Sequence, residues 1–142
     1  MLFIVMFEKE NNIVVAKFVD GEIIQNLKNL MDEAKIESAI IINGVGMLEN
    51  SLIGYFNGRD YIKERITKPA ELVSLQGNIG KNGNDYIVHA HVALANEEHI
   101  LKGGHLLEGD VKVVNEIVLY ALKKIKIGRI KRGRLMEMEI TT

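Results

Sequence analysis

The chain has 142 residues, 47% of them hydrophobic and 26% charged, enough apolar material for one core without covalent staples. It has no cysteine, which excludes disulfides and thiolate metal sites and leaves His, Asp and Glu as the only metal-ligating side chains. The net charge of -1 excludes a global electrostatic attraction to nucleic acid. No apolar run approaches the roughly 20 residues needed to span a bilayer. The opening stretch, residues 1–10, is apolar but short, with no basic leader and no small-residue cleavage site. It reads as a strand rather than a signal peptide, and the expected compartment is the cytoplasm. With one proline, no linker and no internal repeat, residues 1–142 are expected to form a single domain.

In chain order, residues 3–7 and 13–18 are apolar runs around Glu8-Lys9-Glu10-Asn11-Asn12, which predicts a β-hairpin. A helix follows, with Asp20 as its expected N-cap and Glu22 in the first turn, where negative charge suits the helix dipole. Ile23, Ile24, Leu27, Leu30, Met31 and Ala34 recur at helical spacing and form one apolar stripe. The pattern then turns to strands. Ala39–Ile42 is a continuous apolar run and predicts a buried strand, and Ser51–Phe56 a second one after Gly44 and Gly46. Asn57-Gly58 signals a turn into Arg59–Ile66. Glu71–Gln76 predicts a strand ended by Gly77 and Gly80, and Lys81–Asn84 a turn into a long strand, Tyr86–Ala95. Gly103-Gly104 reads as a turn or bulge. Val111–Leu122 fits either strand or helix. Arg134–Ile140 alternates Leu135, Glu137 and Glu139 with Met136, Met138 and Ile140, as a half-buried strand does. The expected class is α+β, a mainly antiparallel sheet with one principal helix packed on it.

Three of the four histidines lie in His89-Ala90-His91 and Gly103-Gly104-His105. Residues two apart on a strand share a face, about 6.7 Å from one another. His89 and His91 therefore point away from the core stripe of Val88, Ala90, Val92 and Leu94. The diglycine is expected to bend the chain and return His105 to the pair. Three neutral imidazoles at about 2.0–2.1 Å suit Zn²⁺, or another divalent metal, with one position open. Metal-bound water in such a site has a pKa near ~7. The competing reading is two polar residues on a solvated strand face. His99, in Asn96-Glu97-Glu98-His99, reads as surface. Glu71, Glu108, Asp110 and Glu116 are the carboxylates available as acids or bases, each with a solvated or ion-paired alternative. Catalytic residues are not assigned. The chain has no G-x-S-x-G, no Walker A loop and no dinucleotide fingerprint after a strand, and Gly44-Val45-Gly46 reads as a turn or strand kink.

Lys123, Lys124, Lys126, Arg129, Lys131, Arg132 and Arg134 make seven basic residues in one acid-free tract. They read as a solvated face, with Ile125, Ile127 and Ile130 as core anchors; phosphate contact is the alternative. Arg132-Gly133-Arg134 is similar to the centre of an AT-hook, but Leu135 stands where a proline normally follows. No aromatic residues are interleaved for base stacking.

Taken together, Val19-Asp20-Gly21-Glu22, Asn43-Gly44-Val45-Gly46-Met47, Leu52-Ile53-Gly54-Tyr55-Phe56, Glu71-Leu72-Val73-Ser74-Leu75-Gln76-Gly77, His89-Ala90-His91-Val92, Gly103-Gly104-His105-Leu106 and Asn115-Glu116-Ile117-Val118 resemble, in order and spacing, the prokaryotic PPC (plant and prokaryote conserved) domain family. The resemblance covers nearly the whole chain. It implies a mostly antiparallel sheet, a homotrimer, and His89, His91 and His105 as metal ligands. Plant relatives join the domain to AT-hooks, and the family carries a DNA-binding label for that reason; this chain lacks a complete hook. The family brings no established reaction. The expected function is a trimeric zinc-binding module with a three-histidine site, labelled DNA-binding by family. The alternative is a metal-dependent hydrolase or lyase that uses metal-bound water.

Overall fold

The computed structural model describes residues 5–142. It consists of β1 (Val5–Glu10), β2 (Ile13–Phe18), α1 (Ile23–Glu33), β3 (Ser38–Phe56), β4 (Tyr61–Ile66), β5 (Ala70–Asn82), β6 (Asp85–Ala95), β7 (Leu101–Leu122), β8 (Lys126–Arg132) and β9 (Leu135–Thr141). The class is α+β, with one helix and antiparallel pairing throughout the described strands. The N-terminal hairpin forms as expected from Val5 onward; the part of that expectation covering residues 3 and 4 lies outside the described residues. No helix among the described residues is long and apolar enough to cross a membrane.

The seven-stranded sheet runs in the order β1-β2-β7-β6-β5-β3-β4, and β3 also pairs with β7. Strands β3, β5, β6 and β7 therefore hydrogen-bond in a closed circuit. α1 covers the inner side. Ile23, Leu27, Leu30 and Met31 are fully buried against the alternate residues Val14, Phe18, Leu75, Ile117 and Leu119 of the sheet, the arrangement that the helical stripe and the two-residue strand period require. The helix begins two residues later than expected. Its N-cap is Glu22, whose carboxylate accepts from Ile24 N and Gln25 N, while Asp20 accepts from Gly21 N. The longer Glu22 side chain also accepts from Gly109 N at 3.1 Å, so one carboxylate caps α1 and ties it to β7.

Several sequence expectations are corrected. Ala39–Ile42 is buried on one face only, with Ile40 and Ile42 exposed. Gly44 and Gly46, expected to separate two strands, lie inside β3, and Gly77 and Gly80, expected to end a strand, lie inside β5. At Gly46, Gly77 and Gly80 backbone from a neighbouring strand crosses where a side chain would be, and at Gly44 the Leu75 side chain does. A Cβ on Gly77 would sit 1.9 Å from His89 O, one on Gly46 2.0 Å from Val114 O, and one on Gly80 2.1 Å from Ile127 O. β3 also shifts register at four points along β7, interrupting the regular ladder. Val111–Leu122, open between helix and strand, is strand within β7.

Strands β8 and β9 form a separate two-stranded ribbon. It is anchored where Ile127 N donates to Ser38 Oγ (2.9 Å) and where the Ile127 carbonyl passes over Gly80. Of the expected anchors, Ile127 is buried, whereas Ile125 and Ile130 are exposed.

Gly77→Ala is expected to cost about 2 kcal/mol or more, since the added methyl displaces the His89 backbone. Gly128→Ala, whose methyl meets nothing closer than Glu139 at 3.9 Å, serves as the near-neutral control. Urea denaturation of the two variants checks the difference; equal midpoints would contradict it.

Candidate metal centre

β6 delivers two imidazoles and β7 the third. Along β6 the core face is Val88, Ala90, Val92 and Leu94, and the opposite face carries His89 and His91, as strand alternation requires. β6 and β7 pair antiparallel with His91 directly opposite His105. The ring centroids of His89, His91 and His105 lie 5.2 Å, 5.3 Å and 5.6 Å apart pairwise. One ligand atom from each lies within 4.8 Å of the others. Tetrahedral zinc with bonds of about 2.0–2.1 Å needs donor separations of about 3.4 Å, so an ion would require the three rings to draw closer together than they stand.

The diglycine acts differently from the expectation. Gly103 and Gly104 lie inside β7 and pair with Ala93 and Val92. The reversal is made by residues 96–100, where Asn96 Oδ1 accepts from Glu98 N and Ile100 N and His99 adopts a φ of 66°. The glycines provide close approach: a Cβ on Gly103 would sit 2.4 Å from Val92 O, and one on Gly104 2.7 Å from Gly54 O. His105 is thereby held between β6 and β3, opposite both His91 and Gly54. Tyr61 packs beside it, ring centroids 5.3 Å apart.

His89 and His105 are half-buried, while His91 is exposed. Burial, with the Arg129 and His91 charges nearby, pushes His89 below the usual imidazole range. Burial first, then His89 and His91, pushes His105 down to about 4. Both rings are therefore neutral donors at pH 7, the form that binds metal. The donor set fits a divalent ion of zinc type: three neutral nitrogens and, in the cluster among the described residues, no carboxylate or thiolate.

The carboxylates singled out from sequence lie elsewhere. Glu108 pairs with Arg65 at 2.5 Å, Asp110 faces Asn50, Glu116 is exposed in register with Val45 and Lys17, and Glu71 lines a second cleft with Glu97, Glu98 and His99. His99 is exposed, as expected. Sequence reasoning missed the wall above the histidines. The β8–β9 ribbon and β6 enclose a cleft of ≈ 560 Å³ that contains His89 and His105 together with Tyr61, Asn78, Arg129 and Glu137. Arg129 was read only as one member of a basic tract. The available signal was its two-residue spacing from Ile127, which puts both on the inward face of β8.

The basic tract is dispersed. Lys126 pairs with Glu37 (3.1 Å), Arg132 with Glu137 (2.5 Å) and Arg134 with Asp60, and Arg129 is buried. Arg132-Gly133-Arg134 is the tight turn joining β8 to β9, with Gly133 at a φ of 60°.

Comparison with known proteins agrees with this architecture. The family model of the Plants and Prokaryotes Conserved (PCC) domain matches residues 6–123. A plant- and prokaryote-conserved (PPC) protein of Pyrococcus horikoshii is 36% identical, with 98% of this chain and 96% of that one covered and a TM-score of 0.82. A protein described as a candidate DNA-binding protein of Bacteroides thetaiotaomicron (22% identity, 96% and 98% covered, TM-score 0.88) and a metal-containing protein of Archaeoglobus fulgidus (21% identity, 97% and 99% covered, TM-score 0.80) share the fold. No curated protein matches the sequence. The chain belongs to the Plants and Prokaryotes Conserved domain family.

Proposed function

We propose that the chain is a metal-binding module of one domain, residues 1–142, in which His89, His91 and His105 hold a zinc ion and the assembly is a homotrimer. The observation that carries this reading is the convergence of three imidazole donors within 4.8 Å, two of them held neutral by burial. The A. fulgidus relative described as metal-containing supports it. Zinc suits the donor set best among common divalent ions, and three protein donors leave one coordination position for a small ligand. That open position, with the cleft over it, favours a second reading: hydrolase or lyase chemistry through metal-bound water. DNA association has weaker support. Relatives are described as candidate DNA-binding proteins, but four of the seven basic residues of the tract are ion-paired or buried.

The trimer reading rests on an uncovered apolar face. Val15, Ile40, Ile42, Val45 and Tyr120 are exposed on the side of β2, β3 and β7 turned away from α1. A contiguous apolar surface of this kind is characteristic of an interface.

Purified wild-type protein is expected to carry zinc, and His89→Ala/His105→Ala to carry none while remaining folded. Chelation should lower the wild-type melting temperature by roughly 10 °C, for metal held near a thousand times its Kd, and leave the double variant unchanged. Elemental analysis with thermal melts checks both; negligible metal in wild type would reject the site.

The His105 pKa fixes the pH response of the metal-free protein. Its folded value, about 4, lies below the ordinary 6.5, so the unfolded chain binds the extra proton as pH falls through that window. Stability contributed above pH 6.5 is progressively lost toward pH 4 and is flat below it. The melting temperature of chelated wild type should fall more steeply between pH 6.5 and 4 than that of His105→Gln; parallel curves would contradict this.

Light scattering is expected to give a mass of about 48 kDa, three times the 15.9 kDa chain. Val15→Glu/Ile40→Glu should reduce it to one chain, and a monomeric wild type would overturn the assembly.

A further inference from the structure

The cleft over the histidines contains a charge that the zinc reading does not use. Arg129 is 9% exposed. Its Nη2 donates to Asn78 Oδ1 and its Nη1 to the Met136 carbonyl at 3.4 Å. Both acceptors are neutral, and its Nε has no partner. The other charged residues of the cleft are committed: Arg134 to Asp60 and Glu137 to Arg132. Among the described residues no carboxylate pairs with Arg129. A buried guanidinium with neutral partners and one unmet donor is costly, because desolvation is not offset by an opposing charge. It stays protonated nonetheless. A dication on the histidines would add two more positive charges to the same cleft.

The rest of the lining is apolar, with Ile87 and Val88 from β6 and Leu135, Met136 and Met138 from β9. A cavity of ≈ 560 Å³ lies in the range that holds small molecules, about 300–1,000 Å³. We infer that this cleft binds a small carboxylate with an apolar body, the carboxylate held by Arg129 and directed toward the metal position between His89 and His105. The planar fork of Arg129 matches a carboxylate, the Met136 and Met138 side chains, on the same face of the ribbon as Arg129, receive the hydrocarbon part, and one carboxylate oxygen is available to the open coordination position. The position of the ligand relative to the metal rests on the zinc reading; its recognition by Arg129 does not.

The test is calorimetric titration of the full-length chain, zinc-loaded and chelated, in carboxylate-free buffer, with three probes: butyrate, the uncharged butyramide and inorganic phosphate. Butyrate should bind the zinc-loaded protein, and more weakly the chelated protein, while butyramide does not bind. Arg129→Gln should weaken butyrate roughly tenfold or more while retaining zinc. Since a buried position is being changed, Met138→Glu, at an exposed residue of the cleft wall, is the second variant. Its carboxylate supplies Arg129 with an internal partner and should abolish butyrate binding in a protein that melts like wild type. Equal butyrate affinity in both variants, equal binding of butyramide, or tighter binding of phosphate than of butyrate would overturn the inference. If wild type takes up no zinc yet binds butyrate through Arg129, the zinc reading fails and the carboxylate site stands. Zinc uptake without Arg129-dependent butyrate binding gives the reverse.

Discussion

His91 and His105 face one another because β6 and β7 pair antiparallel in a single register. A slip of one residue would turn His89 and His91 into the core and expose Ala90 and Val92. What prevents the slip is backbone proximity on both sides of β6. Gly77 lets β5 press against the His89 carbonyl, and Gly103 lets β7 press against the Val92 carbonyl. The glycines of this fold thus act as spacers. Gly46, Gly77, Gly80, Gly103 and Gly104 each mark a place where two strands approach more closely than a side chain would allow, and Gly77, Gly103 and Gly104 lie beside the histidines. The geometry of the three-histidine cluster and that of the sheet are one constraint seen at two scales.

The same packing sets the electrostatics. Covering His89 and His105 with the β8–β9 ribbon and Tyr61 removes water from rings that would otherwise titrate near neutral pH. The metal-free fold gives up stability below pH 6.5 and in return keeps the His89 and His105 rings unprotonated at pH 7. The ribbon also brings Arg129 over the site without a carboxylate to neutralise it. A neutral donor cluster beneath an unbalanced cation is an arrangement suited to a metal and an anion together.

The parts of this arrangement legible in the sequence were those set by local periodicity. The α1 stripe, the core face of β6 and the shared face of His89 and His91 followed from spacings of 3.6 and 2. Errors arose where tertiary contact overrides local preference. Glycine in a single strand signals an end, so the sequence divides β3 at Gly44 and Gly46 and ends β5 at Gly77 and Gly80; pairing on both edges carries the strands through. Gly103-Gly104 reads as the bend that returns His105, whereas the bend is made by residues 96–100, before β7 begins at Leu101, around the side chain of Asn96. Asp20 lost the N-cap to Glu22 because only the longer side chain reaches both α1 and Gly109. That Arg129 shares the inward face of β8 with Ile127 follows from their two-residue spacing, whereas what it covers depends on where the ribbon folds back, which no spacing within the tract records.

The central claim is that one ion sits equidistant from three imidazole rings. Crystals of the zinc-loaded protein, with anomalous diffraction recorded on either side of the zinc edge, test it directly. The account predicts a single strong peak within about 2.0–2.1 Å of a ring nitrogen of each of His89, His91 and His105. A peak elsewhere, such as beside Glu97, Glu98 and His99, with none between the three rings, would contradict it.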